Sequence, residues 1–147
     1  AYTKVKAPIT FEAPKPYHKL PTPTLVIRKK GEAWENPFVV VYEPYHKKEK
    51  PTIQSVAKLE QDGVYKGLEI VSKSPKEQLT QYVITQSKNQ VFHNDEVYFK
   101  GSYAVITLDK NKTLKSIYVG EGEEIRFKKK IFEIDRKTNS LYIDFSK

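Results

Sequence analysis

Residues 103–127 read Tyr-Ala-Val-Ile-Thr-Leu-Asp-Lys-Asn-Lys-Thr-Leu-Lys-Ser-Ile-Tyr-Val-Gly-Glu-Gly-Glu-Glu-Ile-Arg-Phe. Apolar and polar residues alternate within 124–127, while 103–108 and 113–119 are short runs rich in β-branched and aromatic residues, and both patterns are typical of β-strands. The intervening segments, 109–112 and 120–122, supply residues that accept a positive φ or cap their own backbone. The stretch therefore predicts three short strands joined by two turns.

The same alternation of strands and turns extends over the chain from residue 24 onward. Further candidate strands are 24–30, 38–43, 52–59, 67–73, 79–86, 97–100, 131–134 and 140–145. So many short strands do not fit comfortably into one open twisted sheet, so two packed sheets are favoured. We expect an all-β fold, an antiparallel two-sheet β-sandwich over residues 24–147.

The first 23 residues differ from the rest in their proline content. Pro8, Pro14, Pro16, Pro21 and Pro23 exclude a regular helix or a central strand there. Apolar residues are interspersed among these prolines, which a free linker would not need. We expect residues 1–23 to be an extended Pro-rich arm that packs on the sandwich.

Composition and charge limit the functional classes. A chain of 147 residues fits one domain, and the lack of cysteine excludes disulfides and thiolate metal sites. The net charge of +8 is uneven, because residues 1–30 hold seven Lys or Arg and one acid. Local clusters at 28–30, 46–50 and 126–130 are therefore the candidate anion sites, with lysine-protected strand edges as the alternative.

The basic cluster at 28–30 belongs to an unusual stretch, residues 28–45. It reads Arg-Lys-Lys-Gly-Glu-Ala-Trp-Glu-Asn-Pro-Phe-Val-Val-Val-Tyr-Glu-Pro-Tyr and is followed by Ile-Gln-Ser-Val at 53–56. Together with Phe-Lys-Gly-Ser-Tyr-Ala-Val at 99–105, it resembles the C-terminal β-sandwich domain of heparinase II/III-like polysaccharide lyases. The resemblance implies that catalysis in such lyases is carried out mainly by an α-helical toroid. This chain contains no counterpart of that toroid. The resemblance therefore implies a non-catalytic module.

Enzymatic motifs are also lacking in the sequence. His18, His46 and His93 lie in the arm or in turns, outside any motif, and no nucleophile elbow, P-loop or zinc-protease motif is present. Glu43 ends an apolar strand, and we interpret it as a buried ion-pair partner of Arg28. We expect the protein not to be an enzyme.

Binding of an acidic or sulfated polysaccharide is the function that the residues best support. An aromatic ring stacks on the apolar face of a pyranose, and Lys or Arg neutralises sulfate or carboxylate. The predicted ligand-binding residues are Arg28, Lys30, Trp34, Tyr45, His46, Lys47 and Lys48. If strands 24–30 and 38–43 pair as a hairpin, Trp34 and Tyr45 lie at its opposite ends, up to ~20 Å apart, and form separate subsites or only one true site. For Trp34, a core plug beneath its loop is the open alternative. For the whole domain, the alternative is a structural accessory domain of a lyase that has no ligand of its own.

The remaining expectations concern cofactors, partners and location. No cofactor is expected, although a structural calcium ion at turn carboxylates such as Asp95 or Asp109 stays open. The partners expected are an anionic polysaccharide and a tethered carbohydrate-active catalytic domain. A membrane is not expected, and nucleic acid is disfavoured by the near-neutral body and the lack of any RNA-binding motif. The chain reads as a secreted, periplasmic or cell-surface module, and the sequence does not name the sugar.

Overall fold

The structure is a computed structural model of the chain and describes residues 2–5, 24–27, 30, 37–44, 46 and 48–146. The chain divides into two compact units, Ala1–Phe38 and Val39–Lys147. In the first unit, β1 (Tyr2–Val5) pairs antiparallel with β2 (Thr24–Ile27). All regular elements of the described residues are β-strands, which confirms the all-β class. The described part thus contains no helix suited to crossing a membrane.

The second unit is built from eight antiparallel strands. They are β3 (Ile53–Gln61), β4 (Val64–Lys73), β5 (Gln78–Thr85), β6 (Val91–His93), β7 (Val97–Asp109), β8 (Leu114–Phe127), β9 (Lys130–Phe132) and β10 (Leu141–Asp144). Hydrogen bonding joins them in the order β10-β8-β7-β5-β4-β3, while β6 pairs with β7 and β9 with β8. The long hairpin of β7 and β8 pairs with β5 and β10 near its turn and with β6 and β9 at its other end. It therefore belongs to both halves of the sheet.

This hairpin bends where two glycines face each other. Gly101 pairs with Gly122, and the register shifts on both sides of this pair. A Cβ on Gly101 would lie 2.5 Å from the Cα of Gly122, and the φ of Gly101 is +154°. Bulges of this kind bend a strand and increase its twist, and only glycine permits such a close approach.

The bend brings the two halves of the sheet against one hydrophobic core. Phe99 and Ile125 on one side of the bend and Ile106 and Ile117 on the other are completely buried in the same cluster. Across the core, the hydroxyl of Tyr82 donates a hydrogen bond to Glu96 at 3.3 Å. The ring of Phe132 meets that of Phe145 edge-on, with centroids 5.9 Å apart. Hydrogen bonding is continuous through one sheet, and these contacts are compatible with the predicted two-layer sandwich.

Several local predictions were wrong. The segment 37–44 was expected to contain a strand at 38–43, but it is irregular because no described strand pairs with it. The expected turn at 120–122 is part of β8, since its glycines serve the close approach at the bend. Consequently 97–100 and 103–108 form one strand, as do 113–119 and 124–127, and β6 was missed because it has only three residues.

Candidate functional site

The structure describes three of the seven predicted ligand-binding residues. Lys30, His46 and Lys48 are described, and all three are exposed. The other four, Arg28, Trp34, Tyr45 and Lys47, lie outside the described residues. The binding role of all seven residues stays a prediction.

The loop that carries His46 and Lys48 is closed at its base by Glu43. The Glu43 carboxylate accepts hydrogen bonds from the backbone N–H groups of Thr52 and Ile53 and from the Thr52 hydroxyl, the last at 2.8 Å. These bonds, led by that from the Thr52 backbone, hold the pKa of Glu43 below its usual value. The carboxylate is thus satisfied by the start of β3, and its expected partner Arg28 lies outside the described residues. The described residues 44, 46 and 48–51 thus adjoin a fixed base and include the exposed cations Lys48 and Lys50.

A turn at 46–49 organises the tip of this loop. The carbonyl of His46 accepts the backbone N–H of Glu49 at 2.8 Å, and its Nδ1 accepts the N–H of Lys48 at 3.3 Å. An imidazole that accepts at Nδ1 in its neutral form carries its proton on Nε2. His46 therefore offers an N–H donor, and Lys48 an ammonium group, on the same exposed turn.

A second candidate site lies on the face of the sheet opposite the core, where three tyrosines come together. Tyr103 on β7, Tyr118 on β8 and Tyr142 on β10 are 40%, 44% and 67% exposed. Tyr118 and Tyr142 are direct cross-strand partners, and the centroids of the Tyr103 and Tyr118 rings are 6.0 Å apart at an interplanar angle of 72°. We call these three residues the tyrosine cluster.

Gly120 lies against the tyrosine cluster and leaves room for two of its rings. It lies in the register shift between the pairs Tyr103–Glu121 and Ala104–Val119. A Cβ at this position would lie 2.9 Å from Cδ1 of Tyr103 and 3.4 Å from Cε1 of Tyr118. Because Gly120 has no side chain, both rings rest on the backbone, and their steep mutual angle forms an aromatic corner.

Polar groups border this corner. Glu121, the cross-strand partner of Tyr103, accepts a hydrogen bond from Ser102 Oγ at 2.6 Å and an ion pair from Lys88 at 2.8 Å. The Lys88 contact lowers the pKa of Glu121, and its reciprocal effect raises the pKa of Lys88. An open hollow of about 260 Å³ lies beside them, lined by Lys88, Gly101, Glu121, Gly122, Glu123 and Asn139. The hollow shares Glu121, the cross-strand partner of Tyr103, with the border of the corner.

The sequence contains a signal for the tyrosine cluster in the alternation of its strands. Tyr142 was correctly placed on the face opposite Leu141 and Ile143, and Tyr118 likewise alternates with the buried Ile117 and Val119. An exposed tyrosine at an outward position of an alternating strand marks a candidate ligand surface. The cross-strand grouping required the register, which the sequence alone does not supply.

The turn carboxylates considered for calcium have other partners or remain isolated. Oδ1 of Asp109 accepts the backbone N–H groups of Asn111 at 2.8 Å and Thr113 at 2.9 Å. In the part of the chain that the structure describes, no three His, Cys, Asp or Glu side chains are grouped as a metal site would need. The structure therefore offers no ligand set around Asp95 or Asp109.

The chain is similar to known proteins of one kind. A family described as the endo-acting ulvan lyase C-terminal domain matches residues 53–145. An endo-acting ulvan lyase of Formosa agariphila is 32% identical over 146 residues, which cover 97% of this chain and 18% of that relative. No solved structure matches the chain. The resemblance to the C-terminal domain of a polysaccharide lyase is thus confirmed, but the lyases are ulvan lyases, and the heparinase II/III assignment is not supported.

Proposed function

Because the chain belongs to the endo-acting ulvan lyase C-terminal domain family, we propose that it is a non-catalytic domain that binds an acidic or sulfated polysaccharide. It holds the polymer beside a tethered catalytic domain. The chain spans only 18% of the length of its curated relative, so the activity of that relative does not transfer to this segment. The proposed setting is outside the cytoplasm, in the periplasm, at the cell surface or in the medium.

The tyrosine cluster is the observation that carries this proposal. A pyranose ring presents a flat face of C–H groups that stacks on an aromatic ring, while its hydroxyls bond to polar neighbours. The three tyrosines cross three adjacent strands and so span roughly 10 Å at the usual strand spacing, about the length of a disaccharide. Soluble proteins rarely leave such a group of aromatic side chains exposed without a ligand or partner.

The consequence for a tethered catalytic domain is a higher local concentration of substrate. A binding domain joined to an enzyme converts the capture of substrate into an intramolecular event, without adding any chemistry. A weak site of a few sugar contacts is sufficient, because a polymer offers many equivalent positions. Binding without cleavage is therefore a complete function for this domain.

The strongest catalytic arrangement among the described residues does not suit lyase chemistry. His93, Tyr98 and Arg126 lie in one cross-strand row, and the Arg126 guanidinium lies over the Tyr98 ring at 4.9 Å. A lyase would need a free cation to neutralise the uronic carboxylate next to the base. Arg126 is already bound by Glu124, with an Nε–Oε1 distance of 2.6 Å. This row therefore favours a structural role.

Affinity electrophoresis tests the proposal. We expect the chain to be retarded in gels that contain ulvan and to migrate freely in gels that contain neutral dextran. The variant Tyr118→Ala with Tyr142→Ala should lose most of the retardation. Ile131→Ala is the matched control, because Ile131 is a similarly exposed apolar residue, 61% exposed, on the other half of the sheet. Equal migration of the chain in all gels would refute the proposal.

A structural accessory domain is the second candidate, and residues 39–42 favour it. Val39, Val40, Val41 and Tyr42 form an exposed apolar run that is not paired with any described strand. Another domain of a longer protein would cover such a run by packing or by strand addition. In that case the chain would bind no polysaccharide, and Val40→Asp would weaken its association with the catalytic domain.

A further inference from the structure

Two turns that are distant in the sequence meet in the folded protein. The turn between β7 and β8 carries Lys110 and Lys112, and the turn between β8 and β9 carries Lys128 and Lys129, followed by Lys130 at the start of β9. The bend at Gly101 and Gly122 brings the two turns together, and Lys128 Nζ donates to the carbonyl of Lys112 at 3.5 Å. We call these five lysines the paired-turn patch. All five are exposed.

The backbone of both turns is fixed by hydrogen bonds. The N–H of Lys112 bonds to the carbonyl of Asp109 at 3.0 Å, while the Asp109 carboxylate caps two other amides of the same turn. The N–H of Lys128 bonds to the carbonyl of Glu96. Lys112 and Lys128 have φ values of 59° and 54°, which only a well-defined turn imposes on a side chain of this size. The ammonium groups are thus presented from rigid supports.

The charges of the patch are less neutralised than those of five other described cations. On the sheet, cations pair with nearby acids: Lys58 with Glu60, Lys88 with Glu121, Lys100 with Glu123, Lys115 with Glu77 and Arg126 with Glu124. Within the described residues, the one acid within 4.0 Å of a patch ammonium is Glu96, at that limit from Lys128. The Asp109 carboxylate accepts bonds from its own turn.

Three of the five patch lysines lie over aromatic rings. Lys112 Nζ lies 5.7 Å from the centroid of Tyr82, Lys128 Nζ 5.1 Å from Phe127, and Lys130 Nζ 5.2 Å from Phe132. A ring face attracts an ammonium group without cancelling its charge or using all of its donors. Lysines held in this way keep their charge for an external anion.

From this geometry we propose that the paired-turn patch is the subsite that binds the anionic groups, sulfate ester or carboxylate, of the polysaccharide. The inference rests on the proposed function and deepens it. The tyrosine cluster stacks on neutral pyranose faces, whereas the patch neutralises the negative charge of the polymer. Two separate contacts of different chemistry give selectivity for an anionic glycan over a neutral one.

The test compares two double variants of the full chain that remove the same charge. Lys112→Gln with Lys128→Gln alters the patch, and glutamine keeps a non-glycine side chain at each positive φ. Lys58→Gln with Lys100→Gln is the control, because both residues are cations already paired with acids. The ligands are dextran sulfate, which lacks carboxylate, polygalacturonate, which lacks sulfate, and neutral dextran.

We expect the patch variant to bind dextran sulfate or polygalacturonate roughly five- to tenfold more weakly, from two lost contacts of about 0.5–0.7 kcal/mol each. Its affinity should also fall less steeply with salt, because fewer counterions are released. The control should stay within about twofold of the parent chain, the size expected when an already neutralised surface charge is removed. The polymer that responds identifies sulfate or carboxylate as the group bound.

Equal affinity of the patch variant and the parent chain would overturn the inference, as would an equal loss in the control. The parent chain is tested on ulvan in parallel, so that the two proposals fail separately. If the parent binds ulvan and the patch variant binds it equally well, only the subsite is wrong. If the parent chain binds neither ulvan, dextran sulfate nor polygalacturonate, the proposed function fails. Tighter binding to single-stranded DNA than to ulvan would overturn the polysaccharide assignment.

Discussion

Gly101→Ala should strongly destabilise the second unit. The glycine stands at the bend on which the tyrosine cluster and the paired-turn patch depend. The added Cβ would lie 2.6 Å from the carbonyl oxygen of Glu121 and 2.6 Å from Cζ of Phe99, in addition to its clash with Gly122. Two of these three neighbours are backbone atoms, and Phe99 is completely buried, so relief requires movement of both strands. The positive φ adds strain for any L-residue with a side chain.

The magnitude follows from these two costs. Backbone strain in a sparsely populated φ region costs about 1–3 kcal/mol, and overpacking of a well-packed site costs about 1–3 kcal/mol. The expected loss is therefore about 2–6 kcal/mol, a large part of the 5–15 kcal/mol that typically stabilises a domain. Gly63→Ala is the matched control. Gly63 also has a positive φ, +77°, but a Cβ there would meet nothing within 4 Å, so only the strain of about 1–2 kcal/mol remains.

Urea unfolding followed by far-ultraviolet circular dichroism measures both variants. The loss of unfolding free energy, read from the midpoint at an unchanged m-value, should be larger for Gly101→Ala than for Gly63→Ala by the overpacking cost of about 1–3 kcal/mol. If the two variants lose the same stability, the close approach at the bend is not a constraint. The account of how the two lysine turns meet would then be wrong.

Two further predictions concern the 44–51 loop. The amide chemical shifts of the residues bonded to Glu43 should titrate with a midpoint below 4.5, the ordinary pKa of glutamate, because hydrogen bonds from Thr52 lower that pKa. The contact of Glu43 with Thr52 is then present above the ordinary pKa and is lost as the pH falls through the lowered pKa. Glu43→Gln should abolish the titration. A midpoint at or above 4.5 would contradict the contact. Lys47→Ala with Lys48→Ala should weaken ulvan binding without changing the thermal midpoint; unchanged binding would exclude this loop as a site.

The alternating strands were the part of the fold that the sequence predicted well. The pattern at 124–127 and 141–145 gave strands with the correct faces, because one side of each strand must be buried. The bend was missed because glycines at 120 and 122 signal a turn as strongly as they signal a close approach of two backbones. The pairing of Gly122 with Gly101 distinguishes a close approach from a turn, but this register depends on the tertiary fold.

The candidate sites were harder to predict for a related reason. The sequence placed basic and aromatic residues near one another along the chain, as at 45–48, but surfaces form between strands that are distant in sequence. Tyr118 and Tyr142 become neighbours through the pairing of β8 with β10, and Lys112 meets Lys128 through the bend of β8. The cluster at 126–130 was noted in the sequence, but its partner turn was not visible before folding.

The central claim is that the chain binds an anionic polysaccharide and leaves it intact. Titration calorimetry of the purified chain with ulvan, at low and at physiological salt, tests this most directly. We expect saturable binding that weakens with salt but persists, because stacking on tyrosine is insensitive to screening whereas the lysine contacts are not. The ultraviolet absorbance of unsaturated uronate should not rise during the titration. Absence of binding heat, or a steady rise of that absorbance, would contradict the account.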